Sequence, residues 1–370
     1  MTTLASSTLF DLLLTRINQH PDRHITFAAY MDLVLYAPGV GYYARTPDRI
    51  GSRGDFFTSP HLGVDFGEML AIQLAEMWEL LDRPQPFMVV EMGAGQGLLA
   101  KDILNYWQQK YPELIVDYVI VETSAAMCRC QQQVLVDQPV RWVEWADLSA
   151  ASITGCLFSN ELIDALPVHQ VVVKDGVLQE VYVSIDSNNQ LQEVLATPST
   201  PRLLEYFEQA EVPILSYEDG YRTEVNLAAI DWLQTVSSKL AKGYLLSIDY
   251  GYTSQRYYNP QRSQGTLQCY YQHRYHSNPY LHIGQQDLTA HVDFTSLIRQ
   301  GNLWGLQELG FTKQGMFLMS LGLSDRISQP ETLERRQALH QLIEPMGLGG
   351  FGVLVQGKDM GDQVLRGFRG

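Results

Sequence analysis

Short apolar runs alternate with amphipathic stretches through the middle of the chain. Four apolar runs bounded by turn residues predict strands, at 87–91, 117–122, 140–143 and 155–159. Amphipathic patterns between them predict helices near 97–110 and 124–135. A short buried run followed by a helical period is typical of βαβ units, in which helices cover both faces of a parallel sheet. The pattern therefore predicts an α/β fold.

The pattern changes on both sides of this unit. Residues 1–82 show two helical periods, about 4–20 and 62–81, which predict an α-rich N-terminal region. Between them lie two stretches dense in Gly, Pro and aromatic residues, Tyr36–Tyr43 and Gly51–Pro60, which either pack as turns or line a ligand. After the fourth strand, β-branched runs flank Asp175-Gly176, a hairpin signal that predicts an antiparallel insertion.

The C-terminal half continues the alternation of helices and strands. It predicts helices at 200–210 and 226–241, a strand at 243–249, a helix at 295–309, a strand around 311–318, a helix at 331–344 and a strand at 351–356. The tyrosine-rich stretch 250–295 predicts a long loop. We therefore expect an N-terminal region, 1–82, packed on a core, 83–370, with insertions at about 165–225 and 250–295.

Composition narrows the function classes. With 45% hydrophobic and 18% charged residues the chain resembles a soluble enzyme, and it lacks an apolar run of about 18 residues, so membrane insertion is not expected. No targeting signal is recognisable at the N-terminus, which favours the cytoplasm. The net charge of −15 disfavours nucleic acid, although RNA contact by one basic group remains an alternative: Arg256, Arg262, His273, Arg274 and His276. The four cysteines form no C-x-x-C pair, so no metal site is expected.

A glycine turn between the first core strand and its helix carries the strongest chemical signal. Glu91-Met-Gly-Ala-Gly-Gln-Gly97 brings backbone close to a nucleotide-like ligand, and Glu91, Gly93, Ala94, Gly95 and Gly97 are candidate contacts. A dinucleotide fingerprint would need its third glycine at position 98, where the chain has Leu98. The spacing therefore disfavours a nicotinamide-dependent oxidoreductase. The pattern E-x-G-x-G-x-G instead resembles motif I of class I S-adenosyl-L-methionine (SAM) methyltransferases, which implies SAM as the ligand.

Acidic residues follow the next two strands. Glu122 ends the second strand, where a carboxylate accepts hydrogen bonds from ribose hydroxyls in nucleotide-binding α/β folds; capping of the following helix is the alternative. Asp147 and Leu148 follow the third strand, where the adenine is commonly contacted. An ordinary helix cap is equally compatible with Asp147.

The end of the fourth strand is the expected place for the methyl acceptor. Asn160, Glu161 and Asp164 bring an amide and two carboxylates there, and carboxylates bind a guanidinium bidentately and orient one of its nitrogens. Methyl transfer needs this alignment more than it needs acid–base assistance. Helix capping by Asn160 or Asp164 is the alternative, and His169 is interpreted as the first residue of a strand rather than as a base.

Several segments together resemble the MidA family of SAM-dependent methyltransferases, which includes a mitochondrial complex I assembly-factor arginine methyltransferase. The matching segments are Gly54–Pro60 with Phe66–Glu68, Glu91–Gly97, Ser159–His169, Leu246–Gly251, Gly265–Leu267 with His273-Arg274, and Asp287–Phe294. The likeness runs from about residue 25 to the C-terminus. Ala94 and Gln96 depart from the Pro and Arg that often stand between the family's glycines.

The resemblance implies a class I methyltransferase fold, with a Rossmann-like seven-stranded sheet that is mostly parallel and has an antiparallel last strand. It implies SAM as cofactor, held by Glu91, the glycines and Glu122, with Thr58 and Ser59 lining its pocket and Asn160, Glu161 and Asp164 facing the acceptor. It also implies arginine methylation of an NADH dehydrogenase-type subunit, in a bacterial member of the family. The alternative is a SAM-binding assembly factor with little catalytic turnover.

Overall fold

The computed structural model describes residues 4–45, 58–272, 274–328 and 332–369. Within these ranges seven strands form the central sheet, in the spatial order Gln307–Lys313, Gly352–Lys358, Leu240–Asp249, Ile153–Asn160, Phe87–Met92, Val116–Val121 and Val140–Val143. Among these strands, Gly352–Lys358 runs opposite to the other six, which all run in one direction. The predicted class I methyltransferase fold is therefore confirmed, including the antiparallel last strand.

Successive strand residues point to opposite faces of this sheet, and each face has its own helical layer. Val89 and Phe158 pack on one face with Asp65–Leu80, Leu98–Lys110, Gln314–Leu321 and Leu333–Ile343. Val90 and Leu157 pack on the other face with Leu227–Lys239 and Phe294–Leu303. Both faces are covered, so the five inner strands are mostly buried apolar runs, as the sequence pattern predicts, while the edge strands Val140–Val143 and Gln307–Lys313 are partly exposed.

The strand predicted around 311–318 is misplaced. The strand is Gln307–Lys313, and Gln314–Leu321 is a helix. Phe317, Leu318 and Leu321 are buried in this helix, while Met316 and Met319 are exposed apolar residues, so its sequence has no polar face. Such a short apolar run cannot be assigned to helix or strand from its period.

The predicted antiparallel insertion after the fourth strand is present as a second sheet. Its strands are His24–Thr26, Val177–Ile185, His169–Lys174, Arg222–Val225 and Leu191–Ala196. The N-terminal helices Leu4–Gln19 and Phe27–Tyr36 pack in one apolar cluster with Val168 and Val183 of this insertion. The helix Phe27–Tyr36 was not predicted, because it is apolar around most of its circumference; the Thr26 hydroxyl caps it by accepting from Ala29 N.

The stretch 250–295 is largely ordered structure rather than the predicted loop. It contains the helix Ser254–Tyr257, the paired strands Gly251–Tyr252 and Val292–Asp293, and a small sheet of Arg274–His276, Gln268–Tyr271 and Asp287–Thr289. His273 lies outside the described residues. Buried Cys269 and Leu288 join this sheet to the N-terminal helices. The stretch 250–295 is thereby held against the edge of the core where the parallel strands end.

Further short elements complete the described part of the chain. The helices are Tyr42–Arg45, Ala125–Val134, Arg202–Gln209 and Leu323–Ser328, and the 3-10 turns are Ser59–Leu62, Trp145–Asp147, Ile214–Ser216, Leu348–Gly350 and Arg366–Phe368. None of the helices within the described ranges is both long and apolar enough to cross a bilayer.

Candidate active site

A cavity of about 1200 Å³ opens at the carboxyl ends of the parallel strands. Four neighbouring strand ends line it, with Glu91–Gln96, Val121–Ser124, Asn160–Leu162 and Tyr250–Tyr252. Ligands of open α/β sheets bind at this edge. The volume exceeds the roughly 300–1000 Å³ of ordinary small-molecule sites, so a cofactor leaves room for part of a second molecule.

The glycine turn has the backbone conformation that its sequence predicts. Gly93, Gly95 and Gly97 have φ of 68°, 51° and 82°, in the left-handed region that side chains disfavour. A Cβ on Gly93 would lie 2.8 Å from Leu162 Cδ1, and Gly97 begins the helix Leu98–Lys110 in the left-handed conformation. Gly93, Ala94 and Gly95 line the cavity, while Gly97 is not among the lining residues.

Glu91 is a buried carboxyl at the base of this turn. Its Oε2 accepts a hydrogen bond from the Tyr118 hydroxyl at 2.7 Å, and burial raises the pKa of Glu91 to about 7. Tyr118 lies on the neighbouring strand, so the contact joins the first two core strands beneath the cavity. Glu91 also lines the cavity and can serve both the turn and a ligand.

Glu122 lies at the end of the next strand and is held by two donors. Its Oε1 accepts from Ser124 N at 2.8 Å and its Oε2 from Gln131 Nε2 at 3.1 Å. Each carboxylate oxygen has a second lone pair, so both can still accept from ribose hydroxyls. Gln131 Nε2 also donates to Gly95 O at 2.9 Å and thereby joins Glu122 to the glycine turn. Apart from its place on a predicted helix, no feature of the sequence identified Gln131 as a site residue.

The structure does not bring Asp147 and Leu148 to the cavity. Asp147 is exposed, and its Oδ2 accepts from Glu144 N at 2.9 Å in the 3-10 turn Trp145–Asp147. The Leu148 carbonyl accepts from Lys239 Nζ at 2.5 Å. Trp145 of the same turn lines the cavity instead. Asp147 is thus not itself the N-cap; it is the third residue of this turn, in a capping box whose N-cap is Glu144.

Thr58 and Ser59 lie beside the cavity on a 3-10 turn. Thr58 lines it and hydrogen-bonds His61 Nδ1 through its hydroxyl at 2.7 Å. Ser59 is buried next to Thr58, and its backbone N–H donates to Glu161 Oε1 at 3.3 Å. The rest of the predicted ligand-lining stretch, 51–57, lies outside the described residues.

Asn160, Glu161 and Asp164 all line the cavity, and no helix begins between 161 and 168, so the capping alternative for Asn160 and Asp164 is wrong. Glu161 has φ of 53°, a strained value for a residue with a side chain, of the kind that clusters at functional sites. Its Oε1 accepts from Asn160 Nδ2 at 3.1 Å, and burial together with nearby Asp249 raises the pKa of Glu161 to about 8.

Asp164 is the buried acid of this group that most needs a partner. Its Oδ1 has no hydrogen-bond partner among the described residues, and neither has Asn160 Oδ1. Burial, with the charges of Asp249 and Asp287, raises the pKa of Asp164 well above its ordinary value. A bound cation with N–H donors, such as a guanidinium, would satisfy these oxygens and favour ionisation.

Asp249 positions this group and was missed as a functional residue. Its Oδ2 accepts from Ile163 N at 2.8 Å and from Asp164 N at 3.2 Å, and its Oδ1 accepts from Tyr250 N at 2.8 Å. Ile248 pairs with Asn160, which places Asp249 beside the turn 161–164. An acid directly after the apolar run Leu245–Ile248 is the signal that could have identified it.

Tyrosines form the wall next to the acids, as one of the two interpretations of Tyr36–Tyr43 predicts. Tyr36 and Tyr43 line the cavity and stack with ring centroids 5.4 Å apart. The Tyr36 hydroxyl donates to Ala165 O and the Tyr43 hydroxyl to Asp287 Oδ1, each at 2.8 Å. Aromatic faces beside carboxylates suit a planar cation. His169 pairs with Glu180 at 2.7 Å at the start of its strand and does not line the cavity.

The raised pKa of Glu161 predicts a dependence of stability on pH. Folding raises this pKa from 4.5 to about 8, so the stabilisation is complete below the unfolded value and is lost as the pH rises through about 8. We expect the melting temperature of the ligand-free protein to fall between about pH 5 and pH 8 and to level off above, and to fall less in Glu161→Gln. Calorimetry across this range measures both; parallel curves for the two proteins would contradict the assignment.

Comparison with known proteins places these features in a family. A sequence model of S-adenosyl-L-methionine-dependent methyltransferases matches residues 69–312. The mitochondrial protein arginine methyltransferase NDUFAF7 of Mus musculus is 30% identical over 375 residues, covering 92% of this chain and 79% of the mouse protein. The Homo sapiens protein of the same name is 29% identical over 371 residues, covering 92% and 78%.

A crystal structure from Burkholderia thailandensis with S-adenosyl-homocysteine bound is similar over nearly the whole chain. It has a TM-score of 0.89 and 31% identity, and the match covers 99% of this chain and 95% of that one. A second structure from the same organism, solved in the native state, has a TM-score of 0.86 and 32% identity. The resemblance seen in the sequence motifs therefore extends to the complete fold.

Proposed function

The chain belongs to the MidA family of SAM-dependent methyltransferases, and from this we propose that it is a protein arginine N-methyltransferase acting on a subunit of an NADH dehydrogenase-type complex. The observation that carries the proposal is buried Asp164, whose Oδ1 has no hydrogen-bond partner among the described residues, beside Glu161 in a cavity that also contains the glycine turn and Glu122. A guanidinium supplies both the charge and the N–H donors that these acids need.

The residues present fit SAM. The left-handed glycine turn leaves its backbone open to the cavity, and both Glu122 oxygens retain lone pairs towards it. The Gln96 side chain stands where family members often carry Arg, so a cofactor carboxylate would meet a neutral amide there. When bound, SAM supplies an electrophilic methyl group.

The protein's own contribution is orientation and removal of a proton. Glu161 and Asp164 would accept guanidinium N–H bonds and hold one nitrogen in line with the methyl group. Transfer of the methyl group makes that nitrogen more acidic, and the proton it loses needs an acceptor. Glu161, with its pKa raised to about 8, suits this role near neutral pH.

The mouth of the cavity supports a macromolecular acceptor. Among the lining residues, Met346 is 94%, Tyr275 76% and Met316 58% exposed. Exposed apolar side chains around an open site are typical of surfaces that contact other proteins. The net charge of −15 also suits an arginine-bearing segment. The choice of an NADH dehydrogenase-type subunit rests on the family resemblance.

Mass spectrometry of a deletion strain tests this proposal. We expect loss of the chain to remove arginine methylation from a subunit of the NADH dehydrogenase-type complex, and expect the wild-type gene, but not Glu161→Gln, to restore it. Methylation that is unchanged in the deletion strain would contradict the proposal. Restoration of complex assembly by the methylation-deficient variant would favour the assembly-factor alternative.

A further inference from the structure

Two cationic side chains and a histidine occupy one part of the cavity and are not used by the chemistry above. Arg256, Lys313 and His291 line the cavity together with Tyr252. The Arg256 and Arg262 guanidinium carbons lie 4.4 and 4.7 Å from the centre of the Tyr252 ring. His291 stacks on the same ring, with centroids 5.0 Å apart and an interplanar angle of 16°. We call Tyr252, Arg256, His291 and Lys313 the cation cluster.

These charges have no acidic partner in the described ranges. Neither Arg256, Arg262 nor Lys313 forms an ion pair within 4.0 Å with any described carboxylate. Among the described residues, Lys313 Nζ donates to the Gly251 carbonyl at 3.5 Å and lies 6.0 Å from the centre of the Phe311 ring, and Arg262 donates to the backbone carbonyls of Arg256 and Tyr257. In a chain with a net charge of −15, cations on a cavity wall with no described carboxylate within ion-pair distance are unexpected for a purely structural cluster.

His291 adds a buried polar atom to this group. Its Nδ1 is buried and has no hydrogen-bond partner among the described residues. Burial, followed by the charges of Arg262, Arg256 and Lys313, lowers the pKa of His291 to about 4, so the ring is neutral near pH 7. One tautomer of a neutral ring presents an N–H at this position, which an anion can accept.

The cation cluster is separated from the predicted cofactor residues by the acceptor strand. The glycine turn follows Phe87–Met92, on one side of Ile153–Asn160, and Tyr252 follows Leu240–Asp249 on the other side. The cluster is therefore nearer to the acceptor group than to the glycine turn. This order along the sheet favours an anion on the acceptor over the carboxylate of the cofactor.

We propose that the cation cluster binds the carboxylate of an aspartate or glutamate that lies close to the target arginine in the acceptor protein. This inference rests on the proposed arginine methylation. Carboxylates bind guanidinium groups bidentately, and the low dielectric of the cavity strengthens the pair. The acids at Glu161 and Asp164 then receive the arginine, so the cavity holds two opposite charges of one segment.

The sheet sets the spacing between these two charges. Lys313 ends the strand Gln307–Lys313, which lies three positions from Ile153–Asn160 in the sheet. Its ammonium, however, donates to the carbonyl of Gly251, which follows Leu240–Asp249, the strand adjacent to Ile153–Asn160. With about 4.8 Å between strands, the two subsites lie roughly 5–15 Å apart. An extended segment advances about 3.3 Å per residue, so the acid is expected about two to four residues from the arginine.

Methylation of short synthetic peptides tests the inference. Each peptide carries one central arginine and, at one of the flanking positions, glutamate, glutamine or lysine. With the wild-type protein and SAM, we expect glutamate at the favoured position to raise kcat/KM about tenfold over glutamine. In Arg256→Glu and Lys313→Glu we expect this preference to disappear and lysine to become the favoured residue. Arg336→Glu, at an exposed arginine outside the cavity, is the control with the same change of charge.

Three results would overturn the inference. One is a wild-type protein that methylates arginine peptides without regard to the flanking residue, which leaves the proposed function intact. Another is a preference that Arg336→Glu abolishes as fully as Arg256→Glu. The third is a loss of about tenfold or more in the affinity of Arg256→Glu for S-adenosylhomocysteine, which would assign the cations to the cofactor.

A binding measurement decides the matter if no arginine peptide is methylated, a result that counts against the proposed function itself. The probe is a fluorescent glutamate peptide whose arginine is replaced by glutamine, added to the protein with S-adenosylhomocysteine. Tighter binding than its all-glutamine counterpart, lost in Arg256→Glu, supports the carboxylate subsite. Equal binding of the two peptides overturns it.

Discussion

Glu161→Gln and Asp164→Asn are each expected to lower kcat for arginine methylation by about 10²–10³-fold, while SAM affinity stays within about twofold. Both changes keep the shape of the side chain but remove its charge. The guanidinium then loses a charge-assisted partner. The NH₂ group of the new amide is a donor, and it takes the place of a carboxylate oxygen that accepted from the guanidinium N–H groups. Because the variants act on the acceptor side of the cavity, the cofactor contacts of Glu122 and the glycine turn are unchanged.

Tritium transfer from SAM measures the rate, and titration calorimetry measures cofactor affinity in the same protein samples. Asp137→Asn, a change at an exposed aspartate outside the cavity, is the matched control and should retain full activity. Circular dichroism establishes that the variants fold. Activity retained in both variants would remove the acids from the mechanism, and a parallel loss of SAM affinity would reassign them to the cofactor.

Glu122→Ala is expected to weaken SAM binding by about 30–100-fold, the second large effect. The reason is the loss of carboxylate hydrogen bonds to two ribose hydroxyls, each about 1.5–3 kcal/mol when one partner is charged, partly offset by water that enters the space. The Ser124 N–H and Gln131 amide also lose their acceptor, so the glycine turn is held less firmly.

Asp147→Asn is the informative comparison for this variant. The sequence suggested an adenine contact or a cap for Asp147, and the structure shows its carboxylate on Glu144 N, outside the cavity lining. We therefore expect SAM affinity within about twofold of wild type for Asp147→Asn. Titration calorimetry of both variants checks the pair. Equal and large losses would restore Asp147 to the cofactor site, and no loss in Glu122→Ala would remove Glu122 from it.

The site residues that the sequence predicted are those whose role depends on local backbone. Gly93, Gly95 and Gly97 take positive φ because the turn between a strand and a helix requires it. The sequence on either side of the turn, an apolar run and then a helical pattern, is enough to predict this. Glu122 and Glu161 directly follow buried strands, which is a local property as well. Asp147 follows a strand too, but its side chain turns back to the backbone of its own 3-10 turn. The spacing of residues along the chain cannot show whether such a side chain points into the cavity or back to its own backbone.

Other residues became part of the site only through distant contacts. Asp249 holds the turn 161–164 because Ser247 and Ile248 pair with Ser159 and Asn160, more than 80 residues away in sequence. The cation cluster combines Arg256 with Lys313, which lie on different elements. The sequence showed Arg256 and Arg262 as a basic patch and suggested RNA as an alternative ligand. Their place at a cavity wall beside Tyr252 gives this patch a different interpretation.

The sequence by itself determined the alternation of strands and helices, the glycine turn and the acids that end the core strands, because periodicity and backbone conformation are short-range properties. Only the tertiary structure decided which acids share a cavity, that Asp164 Oδ1 has no partner among the described residues, and how far burial raises the pKa of Glu161. These properties depend on strand pairing and on solvent exclusion by segments far apart in the chain. The opposite charges of the acceptor acids and the cation cluster likewise share one cavity only in the folded protein.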